Sequence, residues 1–343
     1  MIRRGATINP RGRFETLGIE LDEEAEHEAR RTRTEYLQDD TKSILSFNES
    51  PDIGFRASVN PYRGCEHGCA YCYARPYHEY LGFSAGRDFE TKIMVKTHAP
   101  DLLRAELSSP KWKPQPLAMS GVTDCYQPVE KKLQITRGCL RVLSDFRNPV
   151  VIITKNHLVT RDIDILSDLA THNACVVYIS ITTLDSGLAS RLEPRASLPA
   201  HRLNAIELFA NANIPVNVLM APIIPGLTDH EIPAVLKAAR EAGARSAAYT
   251  MLRLPYGVKD VFKGWLDEHV PGEAAKILGR VKEVRGGKLN DSRFGNRMRG
   301  EGEIADQVVK MFDVIRTREG LRIPSELSAA SFRNPAGEQL GLF

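Results

Sequence analysis

The sequence predicts an α/β fold in which parallel strands alternate with helical crossovers. From Ser58 onward, short apolar runs rich in β-branched residues alternate with longer stretches of helical period. Polar residues directly follow several of these apolar runs, at the edge where such folds form their sites. We therefore expect six or so strand–helix units, partially closed into a barrel.

The alternation extends over residues 58–255, which we predict to be the core of the protein. Strands are predicted at 92–95, 117–120, 150–153, 175–181, 216–220 and 247–252. Helices are predicted at 72–81, 100–107, 132–146, 162–170, 200–212 and 231–242. The polar residues at the predicted strand ends lie at 123–124, 154–155, 180–183 and 222–226.

Two extensions flank this core. Residues 1–57 form an N-terminal extension, in which 21–36 is dense in Glu and Arg and is either a solvated helix or partly disordered. Residues 256–343 form a C-terminal extension with helices predicted at 260–269, 273–284 and 304–317. The tail from residue 324 reads as a loop with a tendency to disorder.

Composition excludes several classes of protein. The net charge of +3 in 343 residues is mildly basic and decides nothing about nucleic acid. No run approaches the roughly 18 apolar residues of a membrane span, and no signal peptide is visible. Six cysteines, three of them clustered, do not resemble a disulfide framework. We expect a soluble, cytoplasmic protein whose thiols remain reduced and which has no membrane partner.

The most informative stretch is the cysteine loop, residues 60–73, which reads N-P-Y-R-G-C-E-H-G-C-A-Y-C-Y. Cys65, Cys69 and Cys72 have the spacing C-x3-C-x2-C, so their thiolates can converge on one metal centre. A tetrahedral zinc site would need a fourth ligand from elsewhere. A four-iron cluster on three thiolates would leave one iron open for a substrate or cofactor.

Other residues of the loop favour the cluster. Gly64 and Gly68 allow the backbone to turn tightly around a bulky centre, and Tyr71 offers a flat surface beside a ligand. The alternatives are a zinc site, a redox pair and structural cysteines.

Three stretches carry a resemblance to a known family. They read N-P-Y-R-G-C-x-H-x-C-x-Y-C-Y-A-R, S-G-V-T-D-C-Y-Q-P-V-E and A-P-I-I-P-G-L-T-D. The cysteine spacing, with an aromatic residue before the third cysteine, resembles the signature of radical S-adenosylmethionine (SAM) enzymes. Together the stretches resemble the spore photoproduct lyase-like, or DNA repair photolyase, branch from about residue 58 to about 254.

The resemblance implies a fold, cofactors and a class of reaction. The family fold is a partial (βα)6, TIM-like barrel, in agreement with the alternation above. Cys65, Cys69 and Cys72 would hold a [4Fe–4S] cluster whose fourth iron binds SAM. Reductive cleavage of SAM would give a 5′-deoxyadenosyl radical that abstracts hydrogen from a substrate. A one-electron reductant of the flavodoxin or ferredoxin type would be a partner. The resemblance implies a lyase or an oxidoreductase and leaves the substrate open, with nucleic acid as one candidate.

It also implies residues that bind SAM. Many radical SAM proteins carry a G-G-E-like edge that binds the SAM amino group, and here Gly121–Asp124 reads G-V-T-D. Thr123 or Asp124 would supply the oxygen, although both residues also suit a helix cap. Lys155 would contact the SAM carboxylate, and Ser180 a ribose or carboxylate oxygen. The alternatives are a solvated lysine and a serine bonded to nearby backbone.

Cys125 is the free thiol predicted closest to this edge. In the spore photoproduct lyase, a cysteine near this edge donates a hydrogen atom to the product radical. Aligning the T-D here with the S-D of the lyase puts Gly121 at that cysteine's place. We therefore expect that the protein is not a faithful spore photoproduct lyase. Cys125 stays a candidate hydrogen donor, the alternative being a core cysteine.

An arginine-rich segment, 285–299, could bind phosphates, but Phe294 is its only aromatic residue, so a solvated loop is the alternative. For the whole protein, two hypotheses compete with a radical enzyme. One is a zinc or redox cysteine protein, and the other is a nucleic-acid-binding module that carries a cluster without radical chemistry.

Overall fold

The computed structural model describes residues 4–15, 33–119, 121–322 and 327–335. The ten strands are β1 (Glu35–Gln38), β2 (Leu45–Phe47), β3 (Ala57–Val59), β4 (Tyr62–Arg63), β5 (Lys92–Val95), β6 (Leu117–Met119), β7 (Val150–Thr154), β8 (Cys175–Ser180), β9 (Val216–Ile223) and β10 (Ala247–Met251). Short 3-10 helices occupy Arg75–Leu81, His157–Asp162 and Asp229–Glu231.

The α-helices of the described residues are α1 (Asp88–Thr91), α2 (Ala99–Ser108), α3 (Glu130–Leu133), α4 (Ile135–Phe146), α5 (Ile163–Thr171), α6 (Ser186–Leu192), α7 (Pro199–Asn211), α8 (Ile232–Glu241), α9 (Val258–His269), α10 (Ala274–Glu283), α11 (Asn296–Arg299) and α12 (Glu303–Arg318). None of them is long and apolar enough to cross a membrane.

The main sheet has seven strands in the order β10-β9-β8-β7-β6-β3-β2. Its strands β3, β6, β7, β8, β9 and β10 are parallel to their neighbours, whereas β2 is antiparallel to β3. Helices α4, α5, α7 and α8 each lie between two consecutive parallel strands of the chain. The predicted α/β fold with six parallel strands is therefore confirmed.

Most predicted strands match observed ones to within a few residues. The strand predicted at 92–95 is β5, but it pairs with β1 and β4 in a separate three-stranded sheet. The strand beside β6 in the main sheet is instead β3, which was not among the predicted strands. The prediction of a helix at 72–81 is wrong for residues 72–74, because the observed 3-10 helix begins at Arg75. Pro76 lies in its first turn, where proline is well tolerated. The helix predicted at 132–146 is two helices, separated by Gln134 in the left-handed conformation.

The described parts of both extensions are in contact with the core. The two interpretations of the stretch 21–36, a solvated helix or partial disorder, are both wrong for Glu35 and Tyr36, which belong to strand β1. Residues 21–32 lie outside the described part of the chain. Of the predicted loop-like tail, residues 327–335 are described, and the Ser328 and Arg333 amides donate to the carbonyls of Asn173 and Phe146.

The two larger of the three hydrophobic clusters in the described residues support the site. The larger one lies between the main sheet and its crossover helices. The smaller one joins Ala70 and Tyr71 of the cysteine loop to Phe262 and Trp265 of α9 and Ile277 of α10. The C-terminal extension therefore forms part of the support beneath the loop.

Candidate active site at the cysteine loop

The cysteine loop connects β4 to the 3-10 helix Arg75–Leu81. Cys65 and Cys69 are buried and Cys72 is partly exposed. Gly64 and Gly68 have φ angles of +78° and +68°, which residues with side chains rarely adopt. A Cβ on Gly68 would lie 2.7 Å from a carboxylate oxygen of Glu90. Both glycines are thus required for the tight path that brings the three cysteines together.

The thiols of the loop influence one another. Burial and the neighbouring Cys65 raise the pKa of Cys72 to about 11, against the lowering effect of Arg75. Burial and the carboxylate of Glu193 raise the pKa of Cys69, while Lys155 lowers it. Three largely desolvated thiols that repel one another have a high cost as bare thiolates, and a cluster of iron ions would supply the missing positive charge. The donor set therefore fits an iron–sulfur cluster.

Among the described residues, no three His, Cys, Asp or Glu side chains are grouped so that they could hold a single metal ion. A four-iron cluster does not need such a group, because each thiolate binds its own iron atom.

A buried arginine fixes the middle of the loop. Arg75 donates from Nε and Nη2 to the Cys69 carbonyl at 3.0 and 2.8 Å, and from Nη2 to Glu90 Oε1 at 2.5 Å. Glu90 also accepts from the Gly5 and Ala6 amides at 3.1 and 2.8 Å. Sequence reasoning missed this chain of contacts, because its members are far apart along the chain.

Residues 4–15, which we call the N-terminal segment, lie directly against the loop. A Cβ on Gly5 would lie 1.6 Å from the Gly68 carbonyl oxygen, so the two backbones are in close contact. Further along the segment, the Asn9 side chain accepts from the Arg87 and Asp88 amides at the start of α1. The segment covers the side of the loop that faces Glu90.

The strand end after β6 is built around side chains of the loop. Asn60 Oδ1 accepts from the Gly121 and Val122 amides at 2.9 and 3.0 Å. Thr123 donates its hydroxyl to the Gly64 carbonyl at 2.6 Å. The structure thus brings Gly121 and Thr123 to the loop, as expected from their place after a strand. The Thr123 hydroxyl donates its proton within the protein and stabilises the loop.

Asp124 ties three elements together. Its carboxylate accepts from the Thr154 hydroxyl at 2.7 Å and the Lys155 amide at 2.8 Å, both at the end of β7. It also accepts from the Tyr126 amide, and its Oδ2 lies 3.3 Å from His67 Nδ1 in the cysteine loop. Burial alone would lower the pKa of His67, but Asp124 and then Cys65 raise it to about 10. Both oxygens of Asp124 have partners within the chain.

A buried polar network occupies the ends of β7, β8 and β9. Lys155 Nζ donates to the Ser180 hydroxyl at 2.5 Å and to the Ala221 carbonyl at 2.9 Å. It lies 3.6 Å from Glu193 Oε1 and 5.7 Å from the centre of the Tyr71 ring. The predicted residues Tyr71, Lys155 and Ser180 are therefore brought together at one strand edge.

Glu193 and Arg202 complete this network, and neither was predicted. Arg202 donates to both the Glu193 carboxylate and the Ser180 carbonyl, and the Tyr71 hydroxyl also donates to Glu193. Burial raises the pKa of Glu193, but Arg202 and Lys155 lower it to about 2, so the carboxylate is ionised. Lys155 and Arg202 share the single carboxylate of Glu193, so the network keeps a net positive charge that suits an anion beside Lys155.

Cys125 directly follows Asp124 in the chain, but its thiol is not exposed at this edge. Its side chain is fully buried in the larger core, and its carbonyl accepts from the Thr136 hydroxyl at 2.6 Å. The structure therefore does not place its thiol at the opening of the site, which agrees with the alternative that Cys125 is a core cysteine.

The arginine-rich segment is not a solvated loop throughout. Arg285 is buried and donates to the carbonyls of Met251 and Leu252 at the end of β10. Arg297 pairs with Asp52 at 2.6 Å. These two arginines attach the C-terminal extension to the rest of the molecule.

Comparisons with known proteins agree with this geometry. The family model described as the radical SAM superfamily matches residues 59–239. An uncharacterized protein of Mycobacterium tuberculosis (strain H37Rv) is 34% identical over 234 residues, which is 68% of each chain. One from Methanocaldococcus jannaschii is 30% identical over 190 residues, covering 55% of this chain and 69% of its own.

Two solved structures share the fold. A mutant of spore photoproduct lyase matches with a TM-score of 0.61 at 14% identity, covering 89% of this chain and 86% of the lyase. The lyase complexed with dinucleoside spore photoproduct matches with a TM-score of 0.52 at 14% identity, covering 69% and 66%. Because the family model spans more than half of the chain and coincides with the parallel sheet and the cysteine loop, this protein belongs to the radical SAM superfamily.

Proposed function

We propose that the protein is a radical SAM enzyme in which Cys65, Cys69 and Cys72 hold a [4Fe–4S] cluster and SAM binds beside it. The observation that carries the proposal is the set of three mutually interacting thiols, two of them buried and one partly exposed, next to the carboxyl edge of a parallel sheet. When bound and reduced, the cluster supplies the electron that cleaves SAM to a 5′-deoxyadenosyl radical.

We assign the predicted site residues to two groups, one that contacts SAM and one that shapes the strand end beside it. Lys155, Ser180 and Tyr71 contact it, since the ammonium group suits a carboxylate and the hydroxyls suit polar atoms of the nucleoside. Gly121, Thr123 and Asp124 shape the strand end beside it: Thr123 donates to the Gly64 carbonyl of the cysteine loop, and Asp124 accepts from Thr154 and Lys155 at the end of β7.

The proposed partners are a reductant and a nucleic acid. A one-electron donor of the flavodoxin or ferredoxin type would reduce the cluster. A nucleic acid is the proposed substrate, supported by the fold shared with a lyase that binds a dinucleoside spore photoproduct. The reaction would be of the lyase or oxidoreductase type.

Reversal of the spore photoproduct itself is expected to be weak or absent. Gly121, at the place of the lyase's donor cysteine, has no side chain, and the Cys125 thiol is buried in the core. A hydrogen donor must approach the product radical to roughly 3–3.5 Å. The assay offers the enzyme a dinucleoside spore photoproduct and measures repaired dimer. Efficient repair that is lost in Cys125→Ala would make Cys125 the donor and contradict this proposal.

The proposed function is tested by anaerobic reconstitution with iron and sulfide. We expect visible absorbance and a reduced EPR signal that changes with SAM, and 5′-deoxyadenosine after reduction by dithionite. Replacing Cys65, Cys69 or Cys72 by Ala should remove all three signals. Cys139→Ala is the matched control, because this thiol is buried on α4 outside the loop. Two results would contradict the proposal. One is a variant with all three cysteines replaced by Ala that still binds four irons, and the other is a wild-type protein that forms no 5′-deoxyadenosine.

A further inference from the structure

A groove beside the cysteine loop is not used by the chemistry above. Its volume is about 260 Å³, and it lies between the 3-10 helix Arg75–Leu81 and the chain that leaves β10. Its aromatic lining is Tyr73, Tyr77, Tyr80 and Tyr256. Tyr73 directly follows Cys72 and donates its hydroxyl to the Gly121 carbonyl at 2.9 Å. The groove therefore adjoins the strand end that we assign to SAM.

The tyrosines of the groove are unusually accessible. Tyr77 is 53% exposed, Tyr80 66% and Tyr256 58%, although large aromatic side chains are usually well buried. Tyr77 and Tyr80 are three residues apart on a 3-10 helix, where such side chains project from the same face. They offer flat apolar surfaces close together, which is what stacked nucleobases require.

Guanidinium groups are interleaved with these rings. Arg13, from the N-terminal segment, lies 3.9 Å from the centre of the Tyr256 ring, and Arg253 lies 4.8 Å from the centre of the Tyr73 ring. Arg13 is paired with Glu79, as Arg297 is with Asp52. Within the described part of the chain, Arg253 has neither a carboxylate within ion-pair distance nor a hydrogen bond.

Arg253 is therefore the cation of the groove that is left for a ligand. It is half-buried, and burial lowers its pKa, with Arg297 adding to the effect. An anion in the groove would relieve both penalties. Asn290 and Ser292 also line the groove and offer neutral polar groups.

We propose that this groove binds an unpaired nucleotide of single-stranded nucleic acid, with its base stacked on the tyrosines and its phosphate on Arg253. The proposal rests on the proposed function, in which nucleic acid is the substrate. The volume of about 260 Å³, just below the roughly 300–1,000 Å³ of ordinary ligand pockets, limits the occupant to about one nucleotide and excludes a duplex. The groove would hold the strand beside the site of hydrogen abstraction.

The test measures binding of fluorescein-labelled ten-residue DNA and RNA strands to the reconstituted, full-length protein under anaerobic conditions. We expect the Tyr77→Ala, Tyr80→Ala double variant to weaken binding by about 5- to 150-fold, the range for one stacked base. Arg253→Gln should reduce the slope of log affinity against log salt by about 0.7, the value for one phosphate contact on a single strand.

Two control variants match these changes. Phe47→Ala removes another exposed aromatic side chain, on β2 and outside the groove lining, and Arg141→Gln removes an exposed arginine on α4. Neither should change affinity or salt slope. Melting temperatures of all variants confirm that they are folded.

The outcome separates the groove from the proposed function. If the wild-type protein forms 5′-deoxyadenosine but binds neither the DNA nor the RNA strand, the groove proposal is wrong and the proposed radical chemistry is unaffected. Strand binding without SAM cleavage would support the groove alone. Unchanged affinity in the tyrosine variant, or a duplex that binds as tightly as a single strand, would also contradict the proposal.

Discussion

His78 shows how a single residue beneath the cysteine loop can make stability depend on pH. Its imidazole is buried between the rings of Phe83 and Phe89, and a Cβ on Gly64 would lie 3.0 Å from its Cε1 atom. Burial lowers the pKa of His78 from 6.5 to about 4. The folded protein thus favours the neutral ring, whereas the unfolded chain takes up a proton near pH 6.5.

We expect the free energy of unfolding to decrease as the pH falls from about 6.5 to about 4, by up to about 3 kcal/mol from this residue. The sign follows because the unfolded state binds more protons than the folded state in this range. His78→Phe should flatten this part of the pH profile, since Phe cannot be protonated. Urea unfolding of the two proteins at several pH values measures the difference. Parallel profiles would show that His78 is not responsible.

Among the elements, α7 is attached to the strand edge by one buried ion pair. Arg202 donates to Glu193 and to the carbonyls of Ser180 and Ser197, so α7 is held against the ends of β8 and α6. The pair also fixes the carboxylate that lies beside Lys155. The position of α7 and the charge of the site therefore both depend on the contact between Arg202 and Glu193.

Removing one partner of this pair should be costly. We expect Arg202→Met to lower the free energy of unfolding by about 3–5 kcal/mol, because Glu193 is left buried and ionised. The double variant Arg202→Met, Glu193→Gln should recover part of the loss. Urea unfolding of wild type, single and double variants forms the comparison. A loss below about 1 kcal/mol in the single variant would mean that the pair is screened or replaced by water.

The core fold was predictable, whereas much of the site was not. Lys155 and Ser180 were predicted because neighbouring parallel strands end at one edge, and β7 and β8 do pair in this way. Arg75 with Glu90, and Glu193 with Arg202, could not be predicted because their separations of 15 and 9 residues match no helix or strand period, and only the fold brings the partners together. The spacing of Tyr77 and Tyr80 was visible in the sequence, but their partner Tyr256 is brought in by the fold.

At the scale of the whole molecule, the cysteine loop is enclosed from two sides. The C-terminal extension packs beneath it through α9 and α10, and the N-terminal segment lies over it through Gly5 and Glu90. Such enclosure limits access of water and oxygen to whatever the thiols hold.

We expect Gly5→Val to loosen this enclosure, because its side chain would overlap the Gly68 carbonyl. The reconstituted variant should lose its visible absorbance severalfold faster than the wild type on exposure to air. Gly54→Val is the matched control, since a Cβ there meets nothing within 4 Å. Iron content before exposure shows whether the cluster was loaded equally. Equal bleaching rates for the two variants would show that the N-terminal segment does not shield the loop.

The N-terminal segment is synthesised well before the residues on which it docks. Gly5 leaves the ribosome 85 residues before Glu90, its partner in the folded protein, and synthesis at roughly 5–20 residues per second separates the two by about 4–17 seconds. Throughout that interval the segment has no binding site, and the cysteines emerge while it is still undocked. Iron and sulfide delivered to the nascent chain would meet an open loop, whereas delivery after release would have to displace a docked segment. We therefore expect a cluster on the three cysteines to load faster before the segment docks than after it.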